Sequence, residues 1–299
     1  MSHKVSVIVP NYNHAAFLQQ RMESILDQTF QDFELILLDD CSTDGSRDIL
    51  ERYRNDPHVS HIVYNENNGG SPFGQWEKGI ELAQGEWLWI AESDDWAECD
   101  FLATMLEQAD RHPQCGLLLS LPQYHFPDGS LWNKTADGSV VAFTGSEYAC
   151  RNLTCANAIH NVSSILMRRS DVARADLSLI TSMRLSGDWM LYVQLCRFTD
   201  VLEVNRVMCH YRIHGNNVTS QAEQEGIPLV EGVAVLDYLT SHFDIQPKNY
   251  GRSWGRTWAK SERNNHYDAQ LRKKISQLMR PYPSICFWHT IYRLRLCLK

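Results

Sequence analysis

Four times in the first hundred residues a short apolar run stops at a polar cluster, and this alternation with helical patterns constrains the fold more than any other feature. The runs KVSVIV (4 to 9), FELILLD (33 to 39), VSHIVY (59 to 64) and EWLWIA (86 to 91) have the length and residue types of strands. Between them, FLQQRMESILDQ (17 to 28), GSRDILERYR (45 to 54) and the stretch from Gly74 to Gln84 have apolar residues at helical spacing. A chain that alternates in this way builds a parallel sheet covered by helices on both faces. The clusters PNYN (10 to 13), DDCSTDGS (39 to 46), NENNGGS (65 to 71) and ESDDW (92 to 96) then meet at the carboxyl edge, where open parallel sheets bind their ligands.

The last of these clusters is chemically demanding. AESDDW (91 to 96) sets Glu92, Asp94 and Asp95 within four positions, directly after an apolar strand. Closely spaced carboxylates repel, and desolvating them is costly unless a cation or hydrogen-bond donors meet them. Neither G-x-G-x-x-G nor G-x-x-x-x-G-K-[ST] occurs, which argues against dinucleotide and P-loop sites. An edge of carboxylates, asparagines and backbone amides suits a nucleotide diphosphate bridged through Mg2+ or Mn2+, both of which favour oxygen ligands.

With 299 residues, 43% of them hydrophobic, the chain suffices for one large domain with an appendage or for two domains. No apolar run approaches the roughly 18 to 20 residues of a membrane-spanning helix, and MSHKVSVIVP has too short an apolar core for a signal peptide. A cytoplasmic chain is expected. Nine cysteines are scattered without a C-x-x-C, which argues against a disulfide framework or a structural zinc site. Charge is uneven: residues 252 to 299 hold 11 Lys/Arg against Glu262 and Asp268, a balance of +9, while the rest carries −17 of the total −8.

In the second half, a helix is expected over 99 to 111, strands over 115 to 120 and 161 to 168, and a D-G hairpin turn in FPDGSLW (126 to 132). RLSGDWMLYVQLC puts Asp188 at the start of an apolar-striped helix, and CHYRIHGNNVTS (209 to 220) ends a strand in basic and amide residues. Taken in order, VSVIVPNYNHAAFLQQRMESILDQTFQDFELILLDDCSTDGS, NNGG, GIELAQGEWLWIAESDDW, GDWML and YRIHGNNVT resemble the family-2 glycosyltransferases, over about residues 4 to 220. These are nucleotide-sugar-dependent inverting enzymes with a GT-A fold.

The resemblance implies an α/β chain with a Rossmann-like, mostly parallel sheet and helices on both faces. Residues 1–220 would form the GT-A catalytic domain, with 1–95 the nucleotide-binding half and 96–220 the acceptor half, and 221–299 a basic helical extension. Pro10, Asn11 and Tyr12 would line the nucleoside pocket, Asp39 would accept a hydrogen bond from the base, and Asp40 and Ser42 would support that loop. Asn68 and Gly69, with Gly70, form a turn whose backbone approaches the ligand. ESDDW matches the D-x-D-type segment with Glu92 at its first position, so Asp94 and Asp95 are the expected contacts to ribose and to Mn2+ or Mg2+. His214 would reach the metal or the diphosphate, and Arg212 the phosphate region. Asp188 would be the catalytic base that takes the acceptor's proton.

Each of these residues also has a local reading. Asp39 and Asp40 would cap the helix at 45 to 54, Asn68 to Gly70 would be a plain turn, and the acidic cluster a solvated turn. Asp188 would be a helix N-cap and His214 a structural histidine. The aromatic and basic end, LRKKISQLMRPYPSICFWHTIYRLRLCLK, fits a helix on an anionic membrane surface, a solvated face or a dimer contact. No nucleic-acid-binding module accompanies its charge, so nucleic acid is not an expected partner. The expected reaction moves sugar from a nucleotide-diphosphate sugar, a UDP-sugar first among them, to a glycan or lipid-linked glycan hydroxyl. Cell-surface polysaccharide assembly is the expected setting, at the inner face of the membrane through residues 280–299. The rivals are a sugar-nucleotide nucleotidyltransferase, which brings a Gly-rich basic loop that PNYNHAAF lacks, and a non-catalytic glycan-binding scaffold.

Overall fold

The computed structural model describes residues 3–214 and 225–297. The expected alternation is present: β1 (Val5–Asn11), α1 (Ala15–Leu26), β2 (Phe33–Asp39), α2 (Ser46–Glu51), β3 (Val59–Tyr64), α3 (Phe73–Leu82) and β4 (Trp87–Ile90). β5 (Trp96–Ala97), α4 (Phe101–Arg111), β6 (Cys115–His125), β7 (Leu131–Trp132) and β8 (Val140–Phe143) follow. Next come α5 (Gly145–Tyr148), β9 (Ile165–Arg168), α6 (Arg169–Val172), α7 (Leu177–Thr181), α8 (Gly187–Leu195) and β10 (Asp200–Arg212). The chain continues through α9 (Ile227–His242), α10 (Pro247–Ser261), α11 (Ala269–Met279) and α12 (Pro283–Cys297).

The strands form one sheet in the order β3-β2-β1-β4-β9-β6-β10-β5, with β7 on β6 and β8 on β10. β1 to β4 run parallel, whereas β9 lies antiparallel to both β4 and β6, so the sheet is mixed in its second half. Side chains alternate across it. Val5, Val7 and Val9 of β1 join Leu35, Leu37 and Trp89 on the face covered by α1 and α4, while Ile8 joins Ile36, Leu88 and Ile90 on the other. α1 offers Leu18, Met22 and Ile25 to the first face, at the spacing of a helical stripe. The stretch expected as a strand over 161 to 168 is extended only from Ile165. Its first half is a 3₁₀ turn, Val162–Ser164, because Ser164 donates its hydroxyl to the Asn161 carbonyl at 2.7 Å, a local bond that competes with the ladder.

The C-terminal helices continue this core. Val233, Leu236 and Leu239 of α9 and Trp254 and Trp258 of α10 share one apolar cluster with Ile8, Leu88 and Trp189. α12 packs one face inward through Ile285 and His289, whose ring stacks on Trp258 at 3.7 Å, and leaves Phe287 and Leu294 63% and 62% exposed. No helix among the described residues is long and apolar enough to cross a membrane, and the described cysteines are unpaired.

Candidate active site

The loops after β1 and β2 are fastened to each other. Asn11 donates through Nδ2 to Asp39 Oδ2 at 3.1 Å, the Asn13 amide donates to Ser42 Oγ at 2.9 Å, and the Thr43 amide donates to Asn13 Oδ1 at 2.8 Å. Both loops hold a non-glycine residue with positive φ, Asn13 at 55° and Cys41 at 66°. Asparagine tolerates that conformation and cysteine less so, which locates backbone strain at this edge. Asp39 is buried and takes Arg47 Nε at 2.8 Å and the Ser42 amide at 3.0 Å. Pro10 and Asn11 are buried as well, so these three residues back the edge, and Tyr12, 46% exposed, faces solvent. Asp40 points at the next loop, accepting from Asn65, Gln75 and Asn68 side chains and from the Gly69 amide at 2.7 to 3.0 Å. Gly70 turns that loop at φ 75°, where its amide meets Asn68 Oδ1 at 2.8 Å.

Beneath the acidic loop lies a buried cation. Arg21, on the apolar stripe of α1, is fully buried, donates Nε to the Glu92 carbonyl at 2.8 Å and sits over the Trp89 ring. Its charge favours ionised Asp95, Asp94 and Glu92. The three acids divide the space. Glu92 accepts from Trp76 Nε1 at 2.9 Å, and burial, with the nearby Asp94 charge, pushes it up to about 8. Asp95, 1% exposed, accepts from Asn161 Nδ2 at 2.8 Å, Ser163 Oγ at 2.7 Å and the Arg212 amide at 3.2 Å. Burial and then Asp94 raise its pKa.

Asp94 faces two imidazoles. Its Oδ2 lies 3.0 Å from His214 Nε2 and 4.0 Å from His14 Nε2, and one ligand atom of each residue falls within 4.8 Å of the others. Burial works against ionised Asp94, but the bond to His214 and the His14 field outweigh it and hold its pKa below the usual carboxylate range. Burial lowers the His14 pKa and so favours the neutral ring that ligates metals. Ser93 Oγ fixes that ring through Nδ1 at 2.9 Å, the kind of outer support that orients a metal-binding histidine. Asp95, expected as a second ligand, meets Asn161, Ser163 and the Arg212 amide and is not part of the His14–Asp94–His214 group. His14, not anticipated from the sequence, joins Asp94 and His214 there. Arg212 closes this side: Nη1 donates to the Asp94 carbonyl at 2.6 Å and Nη2 to Gln20 at 2.8 Å, with the guanidinium over Phe17 and Trp96. The rest of the YRIHGNNVTS segment, residues 215–220, lies outside the described residues.

Asp188 occupies the first turn of α8, two residues after Ser186, which stands at the N-cap position without a side-chain cap bond. Its Oδ2 accepts from Asn157 Nδ2 at 2.8 Å and its Oδ1 from the Trp189 amide at 2.7 Å. Burial pushes its pKa up to about 7 against both bonds. Asn157 and the Asn161 that holds Asp95 are four residues apart, so one strap ties both acids, its two Cα atoms within about 14 Å. The Tyr192 hydroxyl, one helical turn beyond Asp188, lies in the fields of both Asp188 and Glu92.

Residues 6–175 match the family model described as "Glycosyl transferase family 2". Among curated relatives, the GalNAc(5)-diNAcBac-PP-undecaprenol beta-1,3-glucosyltransferase of Campylobacter jejuni is 31% identical over 107 residues, 36% of this chain and 35% of that protein. The chain spans less than half the length of the curated relatives it matches. Among solved structures, Staphylococcus aureus TarS 1-349 in complex with UDP-GlcNAc superposes with a TM-score of 0.72 at 18% identity, covering 93% of this chain and 80% of that one. The Pyrobaculum calidifontis mannosyltransferase PcManGT, in complex with GDP-Man and Mn2+, gives a TM-score of 0.60 at 15% identity, over 99% and 81%. These two likenesses show a GT-A fold.

Proposed function

The chain belongs to glycosyl transferase family 2, and from that premise we propose that it moves a sugar, with inversion, from a nucleotide-diphosphate sugar to an acceptor hydroxyl. A UDP-sugar is the favoured donor and a glycan or lipid-linked glycan the acceptor, in cell-surface polysaccharide assembly. The names of the relatives support this: one acts on an undecaprenol-linked saccharide and another was solved with UDP-GlcNAc. The observation that carries the reading is the meeting of Asp94, His14 and His214 at the sheet's carboxyl edge. Two imidazoles beside one carboxylate suit Mn2+ better than Mg2+, which prefers oxygen ligands alone. A cation held there would offset charge on the departing diphosphate.

In the reaction, the acceptor oxygen attacks the anomeric carbon as the bond from that carbon to the diphosphate oxygen breaks, and the diphosphate leaves with the electron pair. Asp188 takes the acceptor's proton. Its pKa near 7 suits a general base at neutral pH, and Asn157 and the Trp189 amide hold its carboxylate in place. A single displacement inverts the anomeric centre. Tyr12, Asn68 and Gly69 would contact the nucleotide on a floor made by Pro10, Asn11, Asp39 and Asp40, with Arg212 near the phosphates. The exposed Phe287 and Leu294 on basic α12 support contact with an anionic membrane surface at the cytoplasmic face. Calorimetric titration of UDP tests the site: binding is expected with Mn2+ and lost with EDTA or in Asp94→Ala, whereas equal affinity under chelation would remove the cation from the account.

A further inference from the structure

An open cleft of about 580 Å³ lies between β6, β7, β10 and the segment before β9. Its buried lining, Leu119, Tyr148 and Ile159, shares one apolar cluster with α8. Two local features open the sheet there. β10 bulges at Asn205 and Arg206, since Ser120 pairs with Val204 but Leu121 with Val207, and Pro122 brings no N–H to the ladder. The bulge is anchored: the Asn205 amide donates to the Ser139 carbonyl at 2.8 Å and its Nδ2 to Ser139 Oγ at 2.9 Å. Tyr124 and Trp132 pair across β6 and β7 with ring centres 5.1 Å apart at 67°, and His160 meets Tyr124 edge-on at 6.2 Å. Glu203 is held in the wall by the Tyr148 hydroxyl, which donates to its Oε1 at 3.1 Å. Hairpin stability explains the pairing of the two rings. It does not explain why Trp132 stays 50% exposed beside a lasting opening, nor why a carboxylate is fixed in that wall. The cleft also adjoins the chemistry. Ile159 and His160 in its lining belong to the strap 157–161 that holds Asp188 and Asp95, so the His160 Cα is within about 11 Å of the Asn157 Cα.

We propose that this cleft holds a sugar ring of the acceptor glycan and so selects which glycan is extended. A pyranose has an apolar C–H face, which an aromatic ring covers, and an edge of hydroxyls, which donate to a carboxylate and accept from a lysine or an imidazole. Trp132 and Tyr124 offer the faces, and Glu203, Lys134 and His160 the polar groups. Apolar and aromatic lining with a few convergent polar groups is the make-up of a small-ligand site. The assignment rests on the sugar-transfer reading, and its test separates the two.

The full chain in EDTA is examined by saturation-transfer NMR with the methyl β-glycosides of glucose, galactose, N-acetylglucosamine and N-acetylgalactosamine. UDP affinity with Mn2+ is measured on the same preparations by calorimetry. At least one glycoside should bind. Trp132→Ala, at an exposed position, should weaken that binding about tenfold while melting and binding UDP as the parent does. Trp132→Phe, which keeps an aromatic face, should restore it to within about threefold of the parent. Glu203→Gln should weaken it about tenfold through loss of a charge-assisted bond. UDP binding by a parent chain that binds none of the glycosides would overturn the sugar site and leave the donor site standing. Glycoside binding that depends on Trp132, without UDP binding, would uphold the sugar site and remove the donor reading. The proposal is also overturned if Trp132→Ala binds the glycoside as the parent does, or if it loses UDP and glycoside alike.

Discussion

At the scale of single residues, Asp188 pays a folding cost that its chemistry can use. An acid whose pKa is raised on folding stays protonated in the folded chain after the unfolded chain has ionised, so stability is lost as pH rises from the ordinary carboxylate range to about 7. Asp188→Asn should therefore melt at a higher temperature than the parent at pH 8 and at nearly the same temperature near pH 3. The same substitution should lower transfer by about 10²- to 10⁴-fold without changing UDP affinity. Parent transfer should rise with pH through about 7 as the base ionises. Transfer at the parental rate would return Asp188 to a structural role. Asp94, Asp188 and His214 stand out in the sequence because each falls in a motif at a strand end or helix start. His14 and Arg21 do not: His14 is one histidine after PNYN, and Arg21 reads as an interruption in an apolar stripe. Only the fold reveals that the stripe carries Arg21 beneath three acids and that α1 begins with His14 over Asp94. His14→Ala should weaken Mn2+ binding at least about tenfold by electron paramagnetic titration, since altering even an outer support of a ligand costs that much. An unchanged affinity would exclude His14 from the cluster.

At the scale of elements, the strands were legible because buried parallel strands are apolar along most of their length: β1 and β2 are buried at all seven positions and apolar at five each. The turn at Val162–Ser164 was not, since beside the local Ser164–Asn161 bond it is held by Ser163 Oγ on Asp95, 68 residues away in the chain. Gly85 is another position whose reason is visible only in the fold. A Cβ there would lie 2.4 Å from the Ser6 amide nitrogen and 2.6 Å from the Val5 carbonyl carbon, backbone atoms that cannot yield as a flexible side chain does. Gly85→Ala should cost about 1–3 kcal/mol in urea unfolding, and more if β4 must shift away from β1. An unchanged midpoint would mean that the two strands are less closely held than described.

At the scale of the whole molecule, the basic helical end is tied to the chemistry by packing. Its charge was legible from composition, but its burial was not, because α10 hides tryptophans among lysines and arginines. Trp254 stacks parallel to Trp189 with ring centres 6.4 Å apart and donates Nε1 to the Thr154 carbonyl at 3.0 Å, three residues before Asn157. The far helix thus steadies both the residue after Asp188 and the strap that holds it. Trp254→Ala should cost about 3–5 kcal/mol, and in the fraction that stays folded it should lower transfer more than UDP binding. Equal loss of both would assign Trp254 to general stability. The central claim, that Asp94 with its two histidines and Asp188 form one nucleotide-sugar transfer site, is tested most directly by UDP release from UDP-sugars in the presence of Mn2+. Release is expected, and EDTA, Asp94→Ala or Asp188→Asn should each abolish it. A folded parent chain that releases no nucleotide from UDP-, GDP- or dTDP-sugars with metal present would contradict that claim.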